Sequence, residues 1–185
     1  FVFPNNTIGL DLGPSEITGN VSFGSSNSAT IRGPLYIHGN LSIGSNTTII
    51  QDSSFGDHFV PIVDDGLISV SANVSFIGSG TKGAFLLIST HAAVSGDDAA
   101  IGTSSNNSDL GDVVLYASNG DIRIRSNRTI LAAFAAHSGD VDSSSNAAVR
   151  LDSNVTVNWR ELPSTISCGE RQPFEATSHV VINEF

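Results

Sequence analysis

Lysine is almost missing from this chain: Lys82 stands alone against seven arginines. Basic residues number 8 and acidic residues 18, so the formal net charge is −10. A surface this poor in cations cannot displace the counterions of a nucleic-acid backbone, which excludes nucleic acid as a partner. Cysteine occurs once, as Cys168. An internal disulfide is therefore impossible, and Cys168 is either a small buried residue or one half of a bond to another chain. Long apolar runs are also missing. The stretch "ILAAFAA" at 130–136 is among the longest, far short of the roughly 20 residues of a membrane-spanning helix, so no membrane span is expected. Charged residues make up 14% of the chain, below the usual quarter.

Serine, glycine and asparagine fill the gap, and serine is the commonest residue of all. Many small polar residues and few helix formers suit a turn-rich β protein. The chain opens "FVFPNN" without methionine, as expected of a processed product or a fragment.

One phrase is written twice. "GNLSIGSNTTII" (39–50) and "GDIRIRSNRTIL" (120–131) share a Gly, an Asn or Asp, an apolar–polar–apolar triplet and a Ser-Asn-x-Thr-Ile ending. Shorter relatives begin at Gly19 ("GNVSF"), Ala72 ("ANVSF"), Gly111 ("GDVVL"), Gly139 ("GDVDS") and Ser153 ("SNVTV"). Inside each phrase the apolar residues alternate with polar ones, the period of a strand with one buried face. Gly and Asn punctuate the strands because they tolerate positive φ at corners. A recurrence at about 20 residues signals a solenoid. The expected fold is all-β: a parallel β-helix (β-solenoid) with coils of about 20 residues and terminal caps. The alternative is an antiparallel β-sandwich, which also has many short strands.

The organisation expected is an N-terminal cap or exchanged strand over 1–16, the β-helix over 17–160, and a C-terminal cap or tail over 161–185. Excursions at 51–66 and 89–110 interrupt the coils. Solenoid ends need covering because an open coil is a sticky sheet edge. Phe1, Val2 and Phe3 at one end, and Val180, Val181, Ile182 and Phe185 at the other, are apolar for terminal segments. They are candidate subunit contacts, and Cys168 is a candidate for an intermolecular disulfide.

Asn-x-Ser/Thr occurs eight times, at Asn5, Asn20, Asn40, Asn46, Asn73, Asn106, Asn127 and Asn154. Random placement of 15 Asn among 40 Ser plus Thr in 185 residues gives about three. One reading is N-glycosylation of a secreted protein. The other is a by-product of corner asparagines followed by an alternating Ser or Thr.

Catalytic and metal signatures are scarce. His38, His58, His91, His137 and His179 show no close zinc spacing. Acidic pairs stand at Asp64-Asp65 and Asp97-Asp98, with Asp140 and Asp142. Stacked coils can gather such groups into an acid–base groove, but a paired Asp at a turn is usually a solvated corner. "GSGTKGA" (78–84) lacks phosphate-loop spacing and reads as a loop. No enzyme and no cofactor are expected.

The phrases "TIRGPLYIHGNLSIGSNTTI" (30–49), "GLISVSANVSFIGSG" (66–80), "AFLLIST" (84–90), "DVVLYASNGDIRIRSNRTI" (112–130) and "RLDSNVTVNW" (150–159), in this order, resemble the β-helical domain of PilX-like, pilus-associated and other prokaryotic cell-surface proteins. The resemblance covers roughly residues 17–160. The hydrophobic N-terminal helix of a pilin is absent from this sequence. What the resemblance implies is an extracellular or cell-surface structural or adhesive module with no catalytic residues to carry over. The expected function is a self-associating, glycosylated structural subunit or module of an extracellular filament, appendage or surface layer. Its partners are other copies of itself or other subunits of the assembly, and glycans. The alternatives are a carbohydrate-binding or carbohydrate-cleaving β-helix and a monomeric adhesin.

Overall fold

Alternation becomes structure strand by strand. In "LSI", Leu41 and Ile43 are buried and Ser42 is exposed; in "IRI", Ile122 and Ile124 are buried and Arg123 is only partly covered. A computed structural model describes residues 1–92, 99–104, 108–125, 127–130, 134–136, 149–157, 161 and 163. Among the described residues the regular structure is strand, apart from one short 3-10 turn at Ser53–Phe55.

The strands come in threes. The first repeat holds β1 (Val2–Phe3), β2 (Leu10–Leu12) and β3 (Ser15–Thr18). The second holds β4 (Val21–Phe23), β5 (Ser28–Ile31) and β6 (Leu35–His38); the third β7 (Leu41–Ile43), β8 (Thr48–Gln51) and β9 (Phe59–Asp64). The fourth holds β10 (Ile68–Val70), β11 (Ser75–Ile77) and β12 (Ala84–Ser89); the fifth β13 (Ile101–Thr103), β14 (Ser108–Asp109) and β15 (Val113–Ala117). The sixth holds β16 (Ile122–Ile124), β17 (Arg128–Ile130) and β18 (Phe134–Ala136), and β19 (Val149–Leu151) and β20 (Thr156–Val157) follow.

The first strand of each repeat joins one seven-stranded sheet, sheet A. The third strand joins a six-stranded sheet, sheet C. The second strand joins sheet B in the first four repeats and sheet D from β14 onward, and a parallel bridge between Phe76 and Gly111 connects the two levels. Every strand pairing recorded is parallel, for example β4 on β7, β8 on β11 and β12 on β15. The antiparallel β-sandwich is thereby overturned. An all-β chain of parallel sheets visited in a fixed order fits a β-helix or solenoid.

Parallel in-register pairing puts equivalent residues over one another at about 4.8 Å. In sheet A this makes a buried column of Val21, Leu41, Ile68, Ile101 and Ile122. In sheet C, Leu35, Ile62, Leu87 and Leu115 form another. Both columns belong to one continuous apolar core. Fully burying each such side chain stabilises by about 1.5–3 kcal/mol.

The two copies of the long phrase occupy equivalent places, β7–β8 and β16–β17, three repeats apart. The step between repeats is not constant. Asn20 and Asn40, joined across one step, lie 20 positions apart, whereas Asn40 and Leu67, joined across the next, lie 27 apart. The step that pairs Ile68 with Ile101 is longer still, and the one that pairs Ile101 with Ile122 is short again. A coil of about 20 residues therefore describes some steps and not others. The extra residues of the Leu41-to-Ile68 step lie between β8 and β9, around the turn at Ser53–Phe55, while 59–64, 101–103 and 108–109, read from sequence as parts of interruptions, are strands β9, β13 and β14 paired in register. Residues 1–16, read from sequence as a cap or exchanged strand, carry β1, β2 and part of β3, which pair in parallel with the second repeat.

Some corners demand glycine. A Cβ at Gly66 would overlap the carbonyl oxygen of Gly39 in the preceding repeat, so no side chain fits there.

Leu87 lies between Ile62 and Leu115 with no exposed surface. Leu87→Ala is expected to lower stability by about 2–5 kcal/mol. Ser69→Ala, on the outer face of β10, is expected to change it by less than about 0.5 kcal/mol. Urea denaturation of the two variants beside the wild type checks both.

Candidate functional site

The sequons fall at two corners of the stack, and the local geometry explains why. At the corner from sheet A to sheet B or D, six described residues take a left-handed conformation: Asn6, Ser26, Asn46, Asn73, Asn127 and Asn154, with φ between 54° and 62°. Asparagine and serine are enriched here because their short polar side chains tolerate this region better than branched or bulky residues do. The next residue points inward, as Asn27, Thr47, Val74 and Arg128 do, all at most 2% exposed. The residue after that points outward. Asn-x-Ser/Thr at 46, 73, 127 and 154 is therefore a corner, an interior position and an exterior position in sequence.

The other corner, from sheet C to sheet A, uses asparagine differently. The Oδ1 of Asn20 accepts the backbone N–H of Asn40 at 2.8 Å, and the Oδ1 of Asn40 accepts that of Leu67 at 2.9 Å. Each side chain thus bonds the repeat above it. Asn5, at the corner from sheet A to sheet B, bonds in the same way: its Oδ1 accepts the backbone N–H of Ser25 at 2.7 Å. At the left-handed corner the amides bond each other: Asn73 Nδ2 donates to Asn46 Oδ1 at 2.9 Å, and Asn154 Nδ2 to Asn127 Oδ1 at 3.0 Å. Asn5, Asn20, Asn40, Asn46, Asn73, Asn127 and Asn154 are all exposed. Asn106 lies outside the described residues.

The interior positions beside the left-handed corner form a polar column. Asn27 Oδ1 accepts from Thr7 N at 2.9 Å, and Thr47 Oγ1 donates to the carbonyl of Gly24 at 3.0 Å. Arg128 reaches further. Its Nε donates to Ser104 O at 2.9 Å and an Nη to Ser71 O at 2.6 Å, two repeats down. Burial lowers its pKa, because no solvent is at hand to stabilise the cation. The burial of Arg128 is not legible in the sequence, since an Arg in an alternating strand reads as an outward residue.

Two further titratable sites lie where sheet C turns toward sheet A. Asp64, read from sequence as one half of an acidic pair, is fully buried. Its carboxylate accepts Gly66 N and Leu41 N, both at 3.0 Å. Burial raises its pKa to about 6, against the opposing pull of these two bonds. Its neighbour Asp65 is exposed and belongs to a column that sequence alone did not assemble. His38 sits between Asp65 and Glu16, with Nδ1 2.9 Å from Asp65 Oδ2 and Nε2 2.9 Å from Glu16 Oε1. The hydrogen bond to Asp65, and then that to Glu16, raise the His38 pKa. The three residues are separated by 22 and 27 positions in sequence. Among the described residues no group of three or more His, Cys, Asp or Glu is placed to hold a metal ion.

The glycine-rich loop at 78–84 is a packed corner. The backbone N–H groups of Thr81 and Lys82 donate to Asp57 Oδ1 at 2.6 and 2.8 Å, and together they lower the Asp57 pKa. Of the candidate subunit contacts, Phe1 and Val2 are 68% and 78% exposed. Phe3 stacks on Phe23, with ring centroids 5.0 Å apart. Val180, Val181, Ile182, Phe185, Cys168, Asp97, Asp98, Asp140, Asp142, His137 and His179 lie outside the described residues. No helix among the described residues is long and apolar enough to cross a membrane. No family model, curated protein or solved structure matches this chain.

Two measurements test this geometry. Asn73→Ala is expected to cost about 1 kcal/mol more than Asn73→Gly in urea denaturation, because both lose the amide bond but only alanine is strained at positive φ. The second concerns pH. A raised pKa means that the folded state holds its proton longer, so the associated stability falls as pH rises. For Asp64 the loss runs from its ordinary value near 3.8 up to about 6. For His38 it begins near 6.5 and extends through its raised folded pKa. The melting temperature should therefore fall in two steps as pH rises, the first between about 3.8 and 6 and the second from about 6.5 upward. His38→Gln should remove the upper step and Asp64→Asn the lower one.

Proposed function

We propose that this chain is a structural module of an extracellular filament, appendage or surface layer, built as a closed-coil parallel β-helix and glycosylated at its corners. The observation that carries the reading is the placement of the sequons. Seven described acceptor asparagines are exposed and sit at two corners of one stack, while the intervening residues feed an uninterrupted core. Glycans attached there would extend from the edges and leave the strand pairing intact. They would also keep in solution a surface with few charges.

The resemblance to the β-helical domain of PilX-like and pilus-associated surface proteins supports the same reading. So does the succession of strands through sheets A, B and C, since a module that repeats along one axis suits an extended surface structure. Exposed Phe1, Val2 and Ile8 beside the first strands supply apolar surface through which one subunit would add to the next.

Electron microscopy and intact-mass analysis of the natively secreted protein test this together. Regular filaments whose subunit mass exceeds the bare 19.2 kDa are the expected result. Dispersed single particles at the bare mass would overturn both the assembly and the glycosylation.

A further inference from the structure

Among the described residues, two side chains that carry charge are withdrawn from solvent, Asp64 and Arg128. The carboxylate of Asp64 faces two backbone N–H groups. The guanidinium of Arg128 faces two backbone carbonyls, those of Ser104 and Ser71. No carboxylate among the described residues pairs with it, and burial is what moves its pKa. An arginine keeps its proton in a folded protein. The interior of this corner therefore holds a full positive charge opposed by carbonyl dipoles alone. A charge taken out of water is strongly destabilising unless an opposite charge faces it.

The neighbours of Arg128 hold it in one place. Ser104, just after β13, donates its backbone N–H to the carbonyl of Val70 at 2.9 Å, and its own carbonyl accepts Arg128 Nε at 2.9 Å. Arg128 Nη2 donates to the carbonyl of Ser71 at 2.6 Å. The guanidinium is thus pinned across the fourth and fifth repeats. Its remaining nitrogen, Nη1, and the hydroxyl of Ser104 are both buried and meet no hydrogen-bond partner among the described residues. Both can donate, and they belong to residues already in contact. The local field is weighted toward cations. Arg123 and Arg150 stack in sheet A, and Arg125 N donates to Thr103 Oγ1 at 3.1 Å. With Arg128 these make four of the seven arginines in a chain of net charge −10. Asp152, 3.6 Å from both Arg123 and Arg150, offsets part of that charge.

We propose that Arg128 Nη1 and Ser104 Oγ hold a small monovalent inorganic anion of the halide class, such as chloride, at the corner between sheets A and D. Two donors and one positive charge suit a single compact negative ion. A doubly charged oxyanion would need a second cation beside it. A water molecule would satisfy the hydroxyl and leave the charge of Arg128 unopposed. Ser104 is only partly covered, so an ion reaches the corner from outside without parting the sheets. Once there it would tie the fifth repeat to the sixth, since Ser104 belongs to one and Arg128 to the other.

Sodium chloride and sodium gluconate at equal concentration separate binding from screening, because gluconate is too bulky for a buried corner. The melting temperature of the full chain should be about 3 °C higher in chloride than in gluconate, the shift expected when an ion binds the folded state alone. Bromide should act as chloride does. Three variants locate the effect. Arg128→Met should abolish the chloride increment. Ser104→Ala, which removes a hydroxyl and keeps the backbone bonds, should at least halve it. Arg150→Met, on the outer face of sheet A, should keep it whole. Chlorine NMR reads the ion directly: the excess chloride line width produced by the wild type should follow the same order across the variants. Should Arg128→Met fail to fold, the comparison of Ser104→Ala with Arg150→Met decides. No chloride increment in the wild type, or an increment and line width unchanged in Ser104→Ala, would overturn the proposal. So would their persistence in folded Arg128→Met, which would mark an adventitious surface ion only.

Discussion

Everything in this molecule depends on parallel, in-register hydrogen bonding between one repeat and the next. Because each strand lies over its counterpart at about 4.8 Å, like chemistry must recur at like positions. Leu41 must meet Ile68, and Ile68 must meet Ile101, or the core opens. The same spacing makes the corners severe. Gly39 and Gly66 approach so closely that a side chain on the second would overlap the backbone of the first. The left-handed corner residues stack for the same reason, and there the amides of Asn46 and Asn73 bond each other.

The stack also sets the terms on which polar groups enter the interior. A buried polar atom without a partner is destabilising, and each repeat offers its neighbour a fresh set of backbone donors and acceptors. Asp64 accepts from Leu41 N at the start of its own repeat and from Gly66 N two residues further on. Asn27 accepts from Thr7, and Arg128 donates to carbonyls in two different repeats. These side chains act as rivets through the stack. Each holds a corner whose backbone turns away from its own sheet, so their chemistry follows from local need and differs from repeat to repeat.

Much of this was legible in the sequence, and the reason is the period of two. Leu41-Ser42-Ile43 and Ile122-Arg123-Ile124 announce strands with one buried face, and the asparagines ahead of Val74 and Arg128 announce corners. The parallel stacking followed from the recurrence of the phrase. What was not legible depends on registration across unequal intervals. Glu16, His38 and Asp65 come together only because two steps of different length happen to align them, and no local pattern records those lengths. Arg128 was hidden because a charged residue after a corner resembles a solvated one. The apolar composition of β12 and β15 was visible as a run, but such a run does not say which of its residues face the core.

The uneven steps have an evolutionary meaning. Val21, Leu41, Ile68, Ile101, Ile122 and Val149 follow one another at unequal intervals along the chain, yet the ladder of paired residues in sheet A never slips. Register here is written in the strands, and corner length is free to drift. An insertion or deletion at a corner alters the silhouette of the module without a frame-shift in its core, so lineages could elaborate loops while the scaffold stays constant. An architecture of this kind separates what natural selection can vary from what it must preserve, and places the boundary between them at every corner.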